Sequence, residues 1–409
     1  MRTPPLALYI HFPWCLKKCP YCDFNSHAVR GRLPTELYLR RLLQDLDGDL
    51  EWLSGRRPLT PPISIFLGGG TPSLFPPEGI GELLEAIRRR LPWEGEIEIT
   101  LEANPARLER PRLRELAACG INRLSLGVQS FQDHLLKRIG RLHTAQEAVR
   151  AVEEAKRCGF RSLNIDLMYG LPGQTLEEAI RDIEMAIRLD PDHLSYYQLT
   201  IEAGTPFAKK RPTLPDEEVI AAIEREGRGR LEMAGYRRYE ISAFAKEGHR
   251  CCHNLNYWRF GDYLGIGAGA HGKITDLRHR TLWRLAKNRS PGRYLEGSFR
   301  EHLVEVPEGE RPLEFLMNRL RLREGFTPRE FETATGMGWA AIEPEIAALA
   351  RHGFLEMGDE IACSAWGWER LDALLVAFME LMEERKCRTE PEGLEIDGAG
   401  MVAQSEISS

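Results

Sequence analysis

No apolar run in this 409-residue chain approaches the ~18 residues that a membrane-spanning helix needs, so no transmembrane segment is expected. The N-terminus, Met1 to Ile10, lacks the long apolar core of a signal peptide. No Arg- and Ser-rich transit segment stands before the first strand either, and a cytoplasmic location is expected. Positive charge is not in excess: 55 Lys and Arg face 61 Asp and Glu, a formal net charge of -6. That balance gives no footprint for nucleic acid or an anionic membrane surface, although peripheral membrane contact stays open. Cysteine is sparse, at nine, and a secreted disulfide framework does not fit. Four of the nine, Cys119, Cys158, Cys363 and Cys387, are scattered as packing or surface thiols are. What is left is an ordinary globular balance, 43% hydrophobic and 28% charged, in a chain long enough for two or three domains.

Three cysteines do cluster. Tyr9-Ile-His-Phe-Pro-Trp-Cys15-Leu-Lys-Lys-Cys19-Pro-Tyr21-Cys22 carries them at C-x3-C-x2-C. A [4Fe–4S] cluster normally takes four Cys ligands. Here the fourth local ligand is missing, which leaves one iron open to bind a small molecule. The stretch resembles the radical S-adenosylmethionine (SAM) superfamily, in which the amino and carboxylate groups of SAM chelate the open iron. The alternative is a closed structural zinc site with His11 or His27 as its fourth ligand.

Hydrophobic periodicity then alternates between strand and helix. Residues 6–11 suit a buried strand, and Leu39, Leu42, Leu43, Leu46 and Leu50 mark an amphipathic helix after Pro34. Further strands are read at 63–67, 97–102, 123–128, 163–168 and 193–200. Helices at 78–91, 108–119 and 215–234 lie among them, with two capping boxes, Thr144-Ala-Gln-Glu147 and Thr175-Leu-Glu-Glu178. Six such alternations imply parallel strands with crossover helices, whereas a closed barrel would need eight. The expected class is α/β: a partial (β/α)6-type barrel over residues 1–235, with a doubly wound sheet as the alternative. Residues 236–305, dense in Gly, Tyr and His, close that domain. Residues 306–385 read as helices, a hairpin turning at Gly358-Asp359 and a last helix, a small winged-helix-like α+β domain. Residues 386–409 are polar with little to bury, and disorder is expected there.

In parallel α/β architectures ligands bind at the C-terminal ends of the strands, and polar residues fall at those ends here. Gly68-Gly69-Gly70-Thr71 ends the second strand; its glycines let the backbone approach a ligand closely, although a plain tight turn reads the same. Glu102 ends the third strand and can accept hydrogen bonds from ribose hydroxyls, or it is a surface carboxylate beside Arg107. Gln129 ends the fourth. Arg141 follows one helix later and can meet a carboxylate in bidentate fashion, or lie solvated. Asp166 interrupts an apolar strand, where a carboxylate is costly unless paired; contact with a ligand or with Arg141 is expected.

The cysteine stretch, Gly68-Gly-Gly-Thr-Pro-Ser73, Arg123-Leu-Ser-Leu-Gly-Val-Gln-Ser-Phe131 and Tyr169-Gly-Leu-Pro-Gly-Gln-Thr175 together resemble the HemN/HemW family, over about residues 6–385. The resemblance implies a radical SAM barrel in which Cys15, Cys19 and Cys22 ligate the cluster. It implies contacts from Tyr9, Gly69 and Glu102 to the SAM on that cluster. It puts Tyr21, Gly70, Thr71, Gln129, Arg141 and Asp166 around a neighbouring second SAM or substrate pocket. Two features separate the coproporphyrinogen III dehydrogenases of the family from its haem chaperones. The dehydrogenases carry another Cys two residues after the third ligand, where this chain has Phe24. They also carry an N-terminal extension that has no counterpart before Tyr9. Conversely, His253-Asn254-Leu-Asn-Tyr257-Trp258 matches a motif associated with haem binding in the chaperones. An imidazole is a common haem ligand, and Tyr257 and Trp258 can flank a porphyrin face. The other reading is a core His with packing aromatics. Cys251 and Cys252 adjoin the motif as further thiolate candidates.

The resemblance therefore implies a haem chaperone that binds a [4Fe–4S] cluster, SAM and haem, and passes haem to acceptor haemoproteins. The alternative is a radical SAM enzyme acting on a porphyrin, such as coproporphyrinogen III dehydrogenase. A DNA-binding regulator is disfavoured: residues 310–386 hold nine Lys and Arg against fifteen Asp and Glu, not the basic face a DNA reader needs. A homodimer is left open.

Overall fold

A computed structural model describes residues 1–106 and 110–389. Arg107 and the polar segment from 390 onward lie outside the described residues, as does the Cys387 side chain. Six strands and their crossovers build the body of the chain. The strands are β1 (Leu6–Phe12), β2 (Pro62–Gly69), β3 (Glu98–Ala103), β4 (Arg123–Gln129), β5 (Ser162–Tyr169) and β6 (His193–Gln198). Each pairs in parallel with the next. The crossover helices are α1 (Thr35–Leu53), α2 (Pro77–Arg90), α3 (Arg110–Ala118), α4 (Asp133–Arg138), α5 (Ala145–Lys156) and α6 (Leu176–Leu189). Both expected capping boxes are formed, at Thr144–Glu147 and Thr175–Glu178. Alternation sorts the strand residues: Leu6, Leu8, Ile10 and Phe12 are at most 1% exposed and share a core with Tyr38, Leu42 and Leu46 of α1. Tyr9 and His11 point the other way, into the concave side of the sheet.

Helix α7 (Glu217–Met233) leads into residues 236–305, which extend this same sheet at both edges. Strands β7 (Arg237–Arg238) and β8 (Ala243–Ala245) add antiparallel to β6. The short helix α8 (Cys252–Trp258) then crosses to the other side. There β9 (Asp262–Ile266) lies parallel to β1, making seven parallel strands in a row. Strands β10 (His271–Asp276), β11 (Thr281–Lys287) and β12 (Arg300–Glu305) continue antiparallel. The two outermost strands of this twelve-stranded sheet, β12 and β7, do not pair, so the barrel is open. A buried Lys287 on β11 fastens this flank to α1, with Nζ 2.5 Å from Asp45 Oδ1 and 2.7 Å from Asp49 Oδ2.

The C-terminal part follows the order read from sequence. Helices α9 (Arg311–Arg319), α10 (Pro328–Thr335) and α11 (Glu343–Arg351) precede a hairpin, β13 (Leu355–Met357) and β14 (Ile361–Cys363), and then α12 (Leu371–Thr389). A 3-10 turn at Trp339–Ala341 runs into α11 without joining it as one helix. Pro344, in the first turn of α11, has no N–H to continue a helix running in from Trp339. Phe315, Phe326, Phe331, Leu349 and Phe378 make a second core, and Phe260 and Leu282 from the barrel side join it.

Candidate functional site

The cysteine loop leaves β1 and is held in shape by its own backbone. Trp14–Cys15 pairs with His27–Ala28, His27 N donates to Pro13 O at 2.7 Å and Cys22 N donates to Cys19 O at 3.2 Å. Asn25 pins the loop to the sheet: its Nδ2 donates to Ala268 O and Arg289 O, both at 2.9 Å. Its carbonyl accepts from His11 Nε2 at 2.9 Å, so His11 Nδ1 is the acceptor for the Tyr9 hydroxyl at 3.0 Å. Burial pushes the His11 pKa down to about 4, partly offset by the Asn25 bond. With both nitrogens engaged and the ring neutral, His11 is not free to complete a zinc site.

The loop covers a cavity of about 560 Å3 at the C-terminal ends of the strands. Cys15, Cys19, Cys22 and Tyr21 line one wall. Gly69, Gly70, Thr71, Glu102, Gln129, Arg141 and Asp166 line it as well. Eleven of the residues singled out in the sequence thus converge. The glycines are required by space. Gly69 has φ +104, and a Cβ there would collide with the His11 ring. A Cβ on Gly70 would come within 2.6 Å of Trp14 O and 2.7 Å of Phe12 O. Gln129 also has positive φ, 71°, at a bulge where the β4–β5 register shifts. The bulge brings Gln129 Oε1 within 2.9 Å of the Tyr197 hydroxyl on β6, which donates to it.

Three thiols on one wall, with no fourth cysteine lining the cavity among the described residues, suit a cluster whose fourth iron is open. Burial pushes the Cys15 and Cys22 thiols up.

Two carboxyls face the same cavity. Glu102 Oε2 accepts from Gly69 N at 2.9 Å, and desolvation, then the nearby Asp166, raise its pKa to about 7. Asp166 is raised as well, by burial first. Of the two contacts expected for Asp166, with a ligand or with Arg141, a direct hydrogen bond to Arg141 is not formed. Asp166 instead accepts from Asn164 Nδ2 at 2.7 Å and Ser125 Oγ at 3.4 Å. Arg141 donates to Gly127 O and, at 3.8 Å, to Cys19 Sγ. The half-buried Asp166 takes its hydrogen bonds from neighbouring strand residues, and Arg141 directs its own to β4 and the cluster loop.

A carboxyl whose pKa rises from 4.5 to about 7 on folding makes the folded state the better proton binder between those values. Stability contributed this way is present at low pH and lost as pH rises through about 7. Glu102→Gln should therefore stabilise the cluster-free protein by a few degrees at pH 8, with a smaller gain at pH 5. Thermal melts across that range check this, and a gain that shrinks with rising pH would refute it.

Tyr9 and the His253 group are placed differently. Tyr9 turns its hydroxyl to His11 and does not line the cavity. Helix α8 plugs the opposite, N-terminal end of the barrel. Glu98 of β3 accepts from Cys252 N at 3.0 Å and His253 N at 2.9 Å, holding the start of the helix. His253 is 3% exposed, with Nδ1 3.0 Å from Ser64 Oγ and its ring 5.0 Å from Phe66 and 6.3 Å from Tyr9. Burial lowers its pKa to about 3, helped by the Arg123 charge. Tyr257 packs edge-on against Trp258 at 4.5 Å, and Arg321 stacks on Trp258 at 4.3 Å. Asn254 is half-buried on the same helix, and Cys251 is buried while Cys252 is exposed. Of the two readings of this motif, aromatics flanking a porphyrin or a core His with packing aromatics, the packing described here is that of a core His at the floor of the barrel, where α8 fills a seat of inward side chains from β1, β2 and β3.

Ser125, Met168, Ser195 and Tyr197 also line the cavity and were not singled out. Period-2 alternation from Gln129 and Asp166 would have found the first two.

Residues 9–186 match the radical SAM superfamily, and residues 306–368 match the HemN C-terminal domain. A protein of Haemophilus influenzae named haem chaperone HemW is 48% identical over 379 residues, 92% of this chain and 99% of that protein. The protein of that name from Escherichia coli K12 is 47% identical, covering 93% and 99%. The mitochondrial radical S-adenosyl methionine domain-containing protein 1 of Bos taurus is 35% identical, covering 92% and 88%. Among solved structures, the E. coli coproporphyrinogen III oxidase HemN, described as a radical SAM enzyme, superposes with a TM-score of 0.78 over 92% of this chain and 90% of that one, at 24% identity. Identity of this extent along nearly whole relatives, carried on the HemN fold, makes the chain a member of the HemW group within the HemN-like radical SAM family.

Proposed function

We propose that the chain is a haem chaperone: it holds a [4Fe–4S] cluster on Cys15, Cys19 and Cys22, binds SAM in the adjoining cavity, and passes haem to acceptor haemoproteins. The observation that carries this reading is 47–48% identity to chaperone-named proteins over 99% of their length. Phe24, where the dehydrogenases of the family carry a further Cys, supports it. Once bound, the cluster would offer an open iron to the amino and carboxylate groups of SAM. The chain's own residues do the rest. Gly69 and Gly70 give the ligand close access to backbone, as residues bearing a Cβ would not. Glu102 and Asp166 place two carboxyls in the cavity, and a bound sulfonium and ammonium would favour their ionised forms. The half-buried loop limits access of water to the thiols.

The discriminating experiment gives the anaerobically reconstituted protein haem in one arm and coproporphyrinogen III with SAM and a reductant in the other. The expected result is a Soret band from bound haem, and no vinyl product. Vinyl formation with release of CO2 would replace the carrier by a radical enzyme of porphyrin metabolism.

A further inference from the structure

Arg141 sits between the cavity and the cysteine loop with its bonds divided. One terminal nitrogen donates to the Gly127 carbonyl of β4, and the other donates to Cys19 Sγ at 3.8 Å. Its buried Nε has no partner. Space for this pose comes from Gly127, where a Cβ would stand 3.2 Å from the guanidinium. Asp166, a candidate carboxylate partner, accepts its hydrogen bonds from Asn164 and Ser125 and meets the Arg141 charge only through space. A positive charge is therefore aimed at the sulfur of one proposed cluster ligand, between two half-buried side chains at the cavity wall.

We propose that Arg141 sets the reduction potential of the cluster through this charge-assisted N–H···S contact. Reduction adds one electron to the cluster and its thiolates. A cation and an N–H dipole at a ligand sulfur stabilise the reduced state more than the oxidised one, and so raise the potential. Arg141 is a positioning residue in this account: it touches a ligand of the cluster and not the iron. A purely structural role, clamping the loop to β4, would leave the potential unmoved.

The inference rests on the cluster assignment made above. The test is a redox titration of the anaerobically reconstituted full chain without SAM, followed by electron paramagnetic resonance, for wild type, Arg141→Lys and Arg141→Gln. Arg141→Gln should titrate at a more negative potential with its iron content retained. Arg141→Lys, which keeps the charge but cannot serve Gly127 and Cys19 together, should fall between. An unchanged potential in either iron-holding variant overturns the proposal. Loss of iron from both variants also overturns it, since Arg141 is then a clamp. Absence of an iron–sulfur signal from wild type would instead remove the cluster assignment itself.

Discussion

Replacing Cys22 by Ala should drop the iron of anaerobically reconstituted protein from about four per chain to below one, and abolish the iron–sulfur absorbance. The same is expected of Cys15→Ala and Cys19→Ala. Each of the three thiols lines one cavity wall, and among the described residues no other cysteine reaches that wall to substitute. The controls are built into the chain. Cys119 spends its thiol on Pro77 O at 3.1 Å, and Cys363 on Leu320 O at 3.6 Å. Cys119→Ala and Cys363→Ala should therefore keep the full iron content. Metal analysis with visible spectroscopy decides the matter. Zinc without iron in carefully anaerobic wild type would return the site to a closed zinc centre, and would demand a fourth ligand other than the engaged His11.

The barrel and its cavity were legible because both depend on short-range signals. Alternation in β3 puts Glu98, Thr100 and Glu102 on one face, and the strand ends carry the polar outliers. Residues far apart in the chain then meet with no need to know the tertiary fold in detail, since parallel strands share one functional end. What was not legible depends on which of several partners a side chain takes. Asp166 and Arg141 looked complementary, and the short reach from Asn164, two residues away on the same face of β5, satisfied the carboxylate first. The segment 236–305 was read as closing the domain, but how it does so was hidden for another reason. Its strands are short, and they add to both edges of one sheet, a long-range arrangement that no local pattern encodes. Helix α8 is seven residues long, too short to show a buried stripe that would have marked it as the floor.

That floor position changes what His253 must do to bind haem. In this structure its ring is held by Ser64 and packed on Phe66, so an iron can reach it only if α8 leaves its seat. If His253 is the ligand, haem uptake should raise amide hydrogen exchange across residues 252–258 and free the N–H groups now held by Glu98. The pH dependence follows from the same geometry. An exposed imidazole would lose haem as pH falls through ~6.5. The buried ring is neutral down to about 3, and the iron-bound ring is neutral too, so binding takes up or releases no proton at His253 over the ordinary range. Haem affinity should then stay flat from pH 5 to 8. His253→Ala should remove or shift the Soret band while keeping the iron–sulfur absorbance, because the cysteine loop lies at the opposite end of the barrel. Truncating so buried a ring should also cost about 2–4 kcal/mol of stability, so haem spectra are compared at a temperature where the variant remains folded. An unchanged Soret band in folded His253→Ala, together with unchanged exchange at 252–258, moves the axial ligand elsewhere. The exposed Cys252 and His271 are then the next side chains to replace.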